Sequence, residues 1–155
     1  MASPTIAFGN DHAGVELKAI LIEEVKRQGI AVLDLGTNTH DSVDYPDYAD
    51  AVAAAMADGR AQRGVLICGT GLGICMEANR HEWIRAAVVH DVTTARLARE
   101  HNDANVLCMG ARVIGPETAI DSLRTFLATD FSHGERHERR IAKMSVAKMS
   151  KKKGL

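Results

Sequence analysis

A cysteine followed by alternating glycines is the feature of this sequence with the clearest chemical potential. Cys68 directly precedes the segment Gly69-Thr70-Gly71-Leu72-Gly73. Glycines leave backbone N–H groups uncovered, and such groups at the start of a helix bind an anion, either a phosphate or a developing oxyanion. The same position stabilises the thiolate of a preceding cysteine, which is the form that acts as a base or nucleophile. The segment therefore predicts a site at Cys68, although a buried packing role is the common fate of a free cysteine.

The glycine-rich loop does not match either common nucleotide-binding fingerprint. It lacks the Gly-Lys-Ser/Thr ending of a P-loop, and it follows a later strand instead of opening the chain as a dinucleotide-binding loop would. A tight strand-to-helix turn without a ligand is the alternative interpretation. Cys75 and Cys108 lack any comparable surroundings, and we interpret both as packing residues.

Histidines and arginines elsewhere offer acid–base and phosphate-binding groups. His101, followed by Asn102, can act as a general acid or base near neutral pH, or it can simply complement a helix C-terminus. His12 allows the same two interpretations. Arg136 and Arg140 lie four residues apart, on one face of a predicted helix, where two guanidinium groups suit a phosphate. A solvated charged face is the alternative for these arginines. No histidines and carboxylates show metal-ligand spacing, so we expect no required metal.

Length, composition and charge restrict the class of protein. The 155 residues fit one domain, with 46% hydrophobic and 25% charged residues, as in packed soluble proteins. A net charge of −1 gives no general attraction to nucleic acid or to an anionic membrane. Three cysteines without paired spacing, and an N-terminus without a signal-peptide pattern, predict a cytoplasmic protein with free thiols. We expect one domain over residues 1–145 and a flexible lysine-rich tail over residues 146–155.

Short apolar runs alternate with amphipathic stretches along the chain. We predict strands at residues 6–9, 30–35, 63–68, 84–89 and 106–109, and helices at residues 15–28, 48–58, from the glycine loop to 79, 93–100, 116–128 and 134–149. Alternating strands and helices with short apolar strands favour a parallel sheet covered on both faces. The prediction is therefore a three-layer α/β/α domain.

Polar residues stand where several predicted strands end. Asp11 and His12 follow the first strand, Cys68 ends the third, and His90 and Asp91 follow the fourth. In a parallel sheet these ends lie along one edge, which is where such sheets bind ligands. We therefore expect these side chains to converge on one pocket.

A set of motifs runs from about residue 6 to residue 141 in a fixed order. They include Asp11-His12-Ala13-Gly14 with Lys18, Asp44-Tyr45-Pro46, Ile67-Cys68-Gly69-Thr70-Gly71, His101-Asn102-Asp103-Ala104-Asn105-Val106 and Gly110-Ala111-Arg112-Val113-Ile114-Gly115. In combination they resemble the ribose-5-phosphate isomerase B family, which also contains the galactose-6-phosphate isomerase subunits. The resemblance implies a Rossmann-like α/β/α sandwich with a five-stranded parallel sheet. It also implies cofactor-free interconversion of ribose 5-phosphate and ribulose 5-phosphate, in the pentose phosphate pathway.

The resemblance further implies roles for individual residues. Cys68 matches the base that moves a proton between C1 and C2 through an enediolate. His101 matches the residue that opens the furanose ring, with Asp11 nearby, and Thr70 matches a ring-opening or proton-relay hydroxyl. The implied substrate-binding residues are His12, Gly69, Gly71, Leu72, Gly73, Asn102, Arg112, Arg136 and Arg140. Family members are dimers or tetramers with active sites shared between two subunits, and neither nucleic acid nor membrane is an expected partner.

Some positions depart from the family pattern, and alternatives stay open. Glu77, Cys75 and Trp83 are unusual, and a catalytic glutamate found in one branch of the family would fall at Ile74, so Glu77 does not inherit that role. An isomerase of allose 6-phosphate, galactose 6-phosphate or a tetrose phosphate is the main alternative. A non-catalytic phosphosugar-binding module is disfavoured, because binding alone needs no base.

Overall fold

Five parallel strands connected by helices form the fold. The computed structural model describes residues 4–144. The strands are β1 (Thr5–Asn10), β2 (Ala31–Asp34), β3 (Arg63–Cys68), β4 (Ala86–Val88) and β5 (Val106–Gly110). The helices are α1 (Val15–Arg27), α2 (Tyr45–Ala57), α3 (Leu72–Ala78), α4 (Val92–Asn102), α5 (Pro116–Ala128) and α6 (Glu135–Lys143), and a short 3-10 helix covers His12–Gly14. The sheet order is β2-β1-β3-β5-β4, which confirms the predicted five-stranded parallel sheet.

The sheet is covered by helices on both faces. Along β3, Val65 and Ile67 belong to one apolar cluster with residues of α1, α4 and α5. Leu66 and Cys68 point the other way, into a second cluster with residues of α2 and α3. Because successive strand residues face opposite sides, a strand buried on both faces is apolar along its buried length, as this one is after Arg63. The three-layer prediction is therefore confirmed.

The central position of β3 sets the geometry of the sheet edge. It lies between β1 and β5, with Asn10 in register with Ile67 and Cys68 in register with Gly110. The carboxyl ends of all three strands therefore lie side by side. This is the edge at which ligands bind in sheets of this kind.

Buried ionic contacts fix the segments around this edge. Lys18, which is 2% exposed, donates from Nζ to Asp34 Oδ1 at 3.1 Å, to the Thr37 carbonyl at 2.8 Å and to Asn38 Oδ1 at 2.9 Å. These bonds hold the segment after β2 against α1. On the outer side of α1, hydrogen bonds from Arg124 lower the pKa of Glu24 to about 2 and tie α1 to α5.

Several element boundaries differ from the sequence prediction, and two of the differences have a local cause. Helix α2 begins at Tyr45 rather than at residue 48, because Pro46 fits the first turn of a helix. Strand β4 is three residues long, because side-chain amides replace strand residues as hydrogen-bond partners beside it. Asn105 Oδ1 accepts from the Arg85 N–H, and the Asn79 side chain bonds to both the N–H and the carbonyl of Ala86. Helix α6 is described to Lys143, and its predicted continuation and the tail at residues 146–155 lie outside the described residues.

Two further expectations concern the cysteines and the membrane. Cys75 and Cys108 are buried in the second apolar cluster and form no disulfide, which agrees with their interpretation as packing residues. Within residues 4–144, no helix combines the length and the apolar character needed to cross a bilayer.

Candidate active site

The sulfur of Cys68 lies at the carboxyl end of the central strand, under the glycine-rich loop. Its side chain is nearly buried, with 4% of the residue exposed, and the Gly71 N–H donates to Sγ at 3.2 Å. The loop is also tied to β5 by bonds from the Ala111 N–H to the Cys68 carbonyl and from the Arg112 N–H to the Gly69 carbonyl. The sulfur therefore sits in a rigid frame with a backbone donor aimed at it.

Close packing explains two of the glycines in the loop. Gly71 has φ +78°, and a Cβ added there would lie 2.8 Å from the Met109 carbonyl carbon. A Cβ at Gly73 would lie 2.5 Å from Cζ of Tyr45, because the tyrosine ring packs directly on this turn. At Gly71 the neighbour is backbone, so a side chain is excluded, and this residue also needs the left-handed conformation that glycine adopts freely, whereas a side chain at Gly73 would displace the Tyr45 ring. Directly before Gly71, Thr70 is exposed and its Oγ1 accepts from the Leu72 N–H at 3.2 Å.

Asp11 and His12 lie beside this loop, as their position after β1 predicts. The Asp11 N–H donates to the Ile67 carbonyl at 3.1 Å, which places Asp11 next to the residue before Cys68. Asp11 Oδ1 accepts from the Ala13 N–H, and His12 Nδ1 accepts from the Val43 N–H at 3.2 Å. Because Nδ1 accepts this bond, the proton of a neutral His12 ring is on Nε2, which can therefore act as a donor. Both residues line a cavity of about 570 Å³ together with residues 43–47.

His90 and Arg112 complete the group at the sheet edge. His90 Nε2 accepts at 3.0 Å from the N–H of Gly110, which is the register partner of Cys68. The Arg112 guanidinium lies against the loop, since a Cβ on Gly69 would be 3.1 Å from one of its terminal nitrogens. The strand ends that carry Asp11, Cys68 and His90 therefore lie side by side, whereas the convergence of these side chains on one pocket stays a prediction.

The other predicted site residues form a second group, at the contact of α4 with α6. His101 and Arg136 line a cavity of about 500 Å³, together with Glu100, Ser132, Gly134, Glu135 and His137. The imidazole of His101 stacks on that of His137, with ring centroids 4.3 Å apart and planes 11° apart. Asn102 ends α4, and its carbonyl accepts from Arg85 Nε at 3.1 Å. Arg140 is exposed on α6, one turn beyond Arg136.

The two groups line different cavities of the described chain. The first cavity is lined by Asp11 and His12, and the second by His101 and Arg136. The sequence pattern did not foresee this separation. It also did not single out His137 or the contact of Tyr45 with Gly73, because both arise from packing between elements distant in sequence.

One cluster within residues 4–144 has the side chains of a metal site. The ligand atoms of Asp50, Glu77 and His81 lie within 4.8 Å of one another, and they come from α2, α3 and the turn after α3. Sequence spacing did not reveal this group. His81 Nε2 contacts Asp50 Oδ1 at 2.7 Å, and Glu77 faces Arg80 at 3.8 Å, so ion pairs account for the cluster.

The sequence and the fold are both similar to those of known proteins. The sequence profile of the Ribose/Galactose Isomerase family matches residues 6–144. The chain belongs to the Ribose/Galactose Isomerase family. It is 43% identical to ribose-5-phosphate isomerase B of Escherichia coli over 88% of this chain and 91% of that protein. It is also 42% identical to D-erythrulose-4-phosphate isomerase of Pectobacterium atrosepticum, over 84% of this chain and 86% of that protein.

Solved structures agree with this assignment. Ribose-5-phosphate isomerase B of Clostridium thermocellum superposes with a TM-score of 0.89 at 44% identity, over 97% of this chain and 99% of that one. The family resemblance inferred from the motifs is therefore confirmed. The chain is a sugar-phosphate isomerase of the ribose-5-phosphate isomerase B type.

Proposed function

We propose that this isomerase interconverts ribose 5-phosphate and ribulose 5-phosphate without a metal, as a cytoplasmic step of the pentose phosphate pathway. The observation that carries the proposal is the environment of Cys68. Its sulfur ends the central strand and receives the Gly71 N–H at 3.2 Å, and the backbone N–H groups of Asp11 and Arg112 bond to the residues on either side of Cys68. Removal of a proton next to a carbonyl requires a base, such as a thiolate, together with donors that stabilise the negative charge on oxygen.

The reaction divides into ring opening and proton transfer. In ring opening the C1–O4 bond breaks, the O1 hydroxyl loses its proton and O4 gains one, with His101 as the acid–base group and with Asp11 and the Thr70 hydroxyl assisting. Cys68 then removes the proton from C2, and the electron pair passes to O1 to form an enediolate. The proton returns to C1, and the O2 proton passes to O1, which leaves a ketone at C2 and a hydroxyl group at C1.

Backbone donors of the loop stabilise the enediolate. The proton next to a carbonyl is weakly acidic, so a base alone does not suffice. Loss of one preorganised donor of this kind costs about 2.7–4 kcal/mol in the transition state. The backbone of residues 69–73 supplies such donors on a loop that bonds to β5 hold rigid.

We further propose that two copies of the chain build each active site. Ring opening requires His101 near the sugar bound at Cys68, yet His101 lies with Arg136 in a different cavity from Asp11 and His12. Beside the Cys68 loop, large apolar side chains are exposed: Leu72 by 52%, Met76 by 70% and Val113 by 58%. Clustered exposed apolar residues indicate an interaction surface. A second copy covering this surface brings its own His101 and Arg136 to Cys68.

The phosphate is held by His12, Arg112, Arg136 and Arg140 in this proposal, and Asn102 contacts a sugar hydroxyl. Arg140→Ala should therefore raise KM for ribose 5-phosphate about 10-fold and leave kcat within about threefold, because a remote charge-assisted contact supplies binding energy. Steady-state kinetics measure both constants. The exposed neighbour Arg139, on the same helix, provides the control: Arg139→Ala should keep the wild-type KM. An unchanged KM in Arg140→Ala removes this arginine from the phosphate site.

The substrate is tested by comparing rates on phosphorylated sugars of different length. Ribose 5-phosphate should give the highest kcat/KM among ribose, allose, galactose and erythrose phosphates, and treatment with a chelator should leave that rate unchanged. A higher kcat/KM for a tetrose phosphate would favour the second candidate, which rests on the similarity to D-erythrulose-4-phosphate isomerase. Binding without turnover of any of the four would leave only a phosphosugar-binding role.

A further inference from the structure

His137 is the buried residue of helix α6. It is 8% exposed, whereas the other described residues of the helix are half-buried or exposed. An aliphatic side chain would anchor the helix without the cost of removing a polar imidazole from water. A histidine at this place is therefore poorly explained by packing alone.

The ring of His137 is held on several sides. Its face lies on the ring of His101, with centroids 4.3 Å apart and an interplanar angle of 11°. At its edge, Arg136 Nε donates to Nε2 at 3.3 Å, which makes that nitrogen an acceptor and leaves the proton on Nδ1. Gly134 lies against Cδ2, where an added Cβ would be 3.1 Å away. A ring restrained in this way offers a fixed flat surface to His101.

Burial and the neighbouring basic groups favour a neutral His137. Burial is the main cause that lowers the pKa of His137, and the nearby charges of His101, Arg136 and Arg140 lower it further. The carboxylates of Glu100 and Glu135 line the same cavity. Since two stacked imidazolium ions would repel each other, the lowered pKa of His137 favours a pair in which the two rings are not charged at the same time.

We propose that His137 is a positioning residue whose ring, stacked on His101, holds the His101 imidazole in the orientation used for ring opening. The proposal rests on the ring-opening role of His101 proposed above. It differs from a role in phosphate binding, because the contact is made to the acid–base group and not to the substrate. Misplacement of a reacting group by about 1 Å costs about 100-fold in rate, so a lost stack should appear in kcat.

Two substitutions separate stacking from hydrogen bonding. His137→Phe keeps a flat ring against His101 and loses the acceptor for Arg136, whereas His137→Gln keeps an acceptor and loses the ring. We expect His137→Gln to lower kcat for ribose 5-phosphate about 10- to 100-fold with KM within about twofold, and His137→Phe to stay within about threefold of wild type. Arg139→Ala is the surface control on the same helix. Thermal unfolding of each variant reports whether the fold is intact.

A second readout isolates ring opening. Ribulose 5-phosphate has its O5 esterified and cannot close a furanose ring, so exchange of its C1 hydrogen with deuterium from D₂O needs the base but no ring opening. This exchange should stay near the wild-type rate in both His137 variants and in His101→Ala. Equal loss of kcat in the Phe and Gln variants, wild-type kcat in the Gln variant, or a change in KM alone would overturn the proposal. Full activity of His101→Ala would instead contradict the ring-opening role of His101 itself.

Discussion

Cys68→Ala should lower kcat for ribose 5-phosphate by about 10²- to 10⁴-fold, the range expected when a general base is removed. The substitution takes away one sulfur atom at the end of β3 and leaves the loop backbone, with its bonds to Ala111 and Arg112, in place. The phosphate-binding groups are also untouched. Isothermal titration with ribose 5-phosphate should therefore give a Kd within about threefold of wild type, because lost transition-state interactions need not weaken ground-state binding.

Cys75 provides a matched control for this substitution. It is also a buried cysteine of the same apolar cluster, but its sulfur accepts from Asn79 Nδ2 rather than from the loop backbone. Cys75→Ala should lower the free energy of unfolding and keep kcat within about threefold, as expected of a packing residue. Comparable kcat losses in the two variants, or a fully active Cys68→Ala, would mean that Cys68 is not the base.

Mixing two inactive variants should restore activity. If one copy supplies Cys68 and the other supplies His101, a hybrid dimer of Cys68→Ala and His101→Ala contains one intact site and one doubly altered site. A hybrid isolated through two different affinity tags should then show about half of the wild-type kcat per dimer, because the two sites of a symmetric dimer are equivalent. Each parent variant alone should be nearly inactive.

A single substitution tests whether the exposed apolar surface holds two subunits together. Met76→Glu places a charge on a side chain that is 70% exposed in the single chain, so it should leave the fold intact and weaken the association of subunits. Analytical ultracentrifugation would show the change in mass. A hybrid no more active than its parents would show that Cys68 and His101 act within one chain.

The sequence patterns were sufficient for the sheet and for the loop at Cys68. Strand β3 is apolar at nearly every position because both of its faces are buried, and this pattern can be recognised without a structure. The alternating glycines after Cys68 could also be recognised in the sequence. They are expected where a chain turns sharply from a strand into a helix and leaves little room for side chains. The position of Asp11 beside Cys68 followed from the shared edge of parallel strands.

Contacts between distant elements were not predictable in the same way. The stack of His101 on His137 depends on how α4 packs against α6, and no local pattern records the angle at which two helices meet. The packing of Tyr45 on Gly73 joins α2 to α3, and the sequence prediction, which began this helix at residue 48, contained no sign of it. Strand β4 is shorter than its apolar run because side-chain amides of Asn79 and Asn105 take over hydrogen bonds next to it.

The central claim is that Cys68 moves a proton through an enediolate, and isomerisation in D₂O tests it most directly. Ribose 5-phosphate converted by the enzyme in D₂O and examined by NMR should yield ribulose 5-phosphate with deuterium at C1 in a measurable fraction of molecules, since a thiol proton exchanges with solvent. Cys68→Ala should give neither product nor label. Ribulose 5-phosphate formed at the full rate with no deuterium at C1 would indicate a direct hydride shift and would contradict the account.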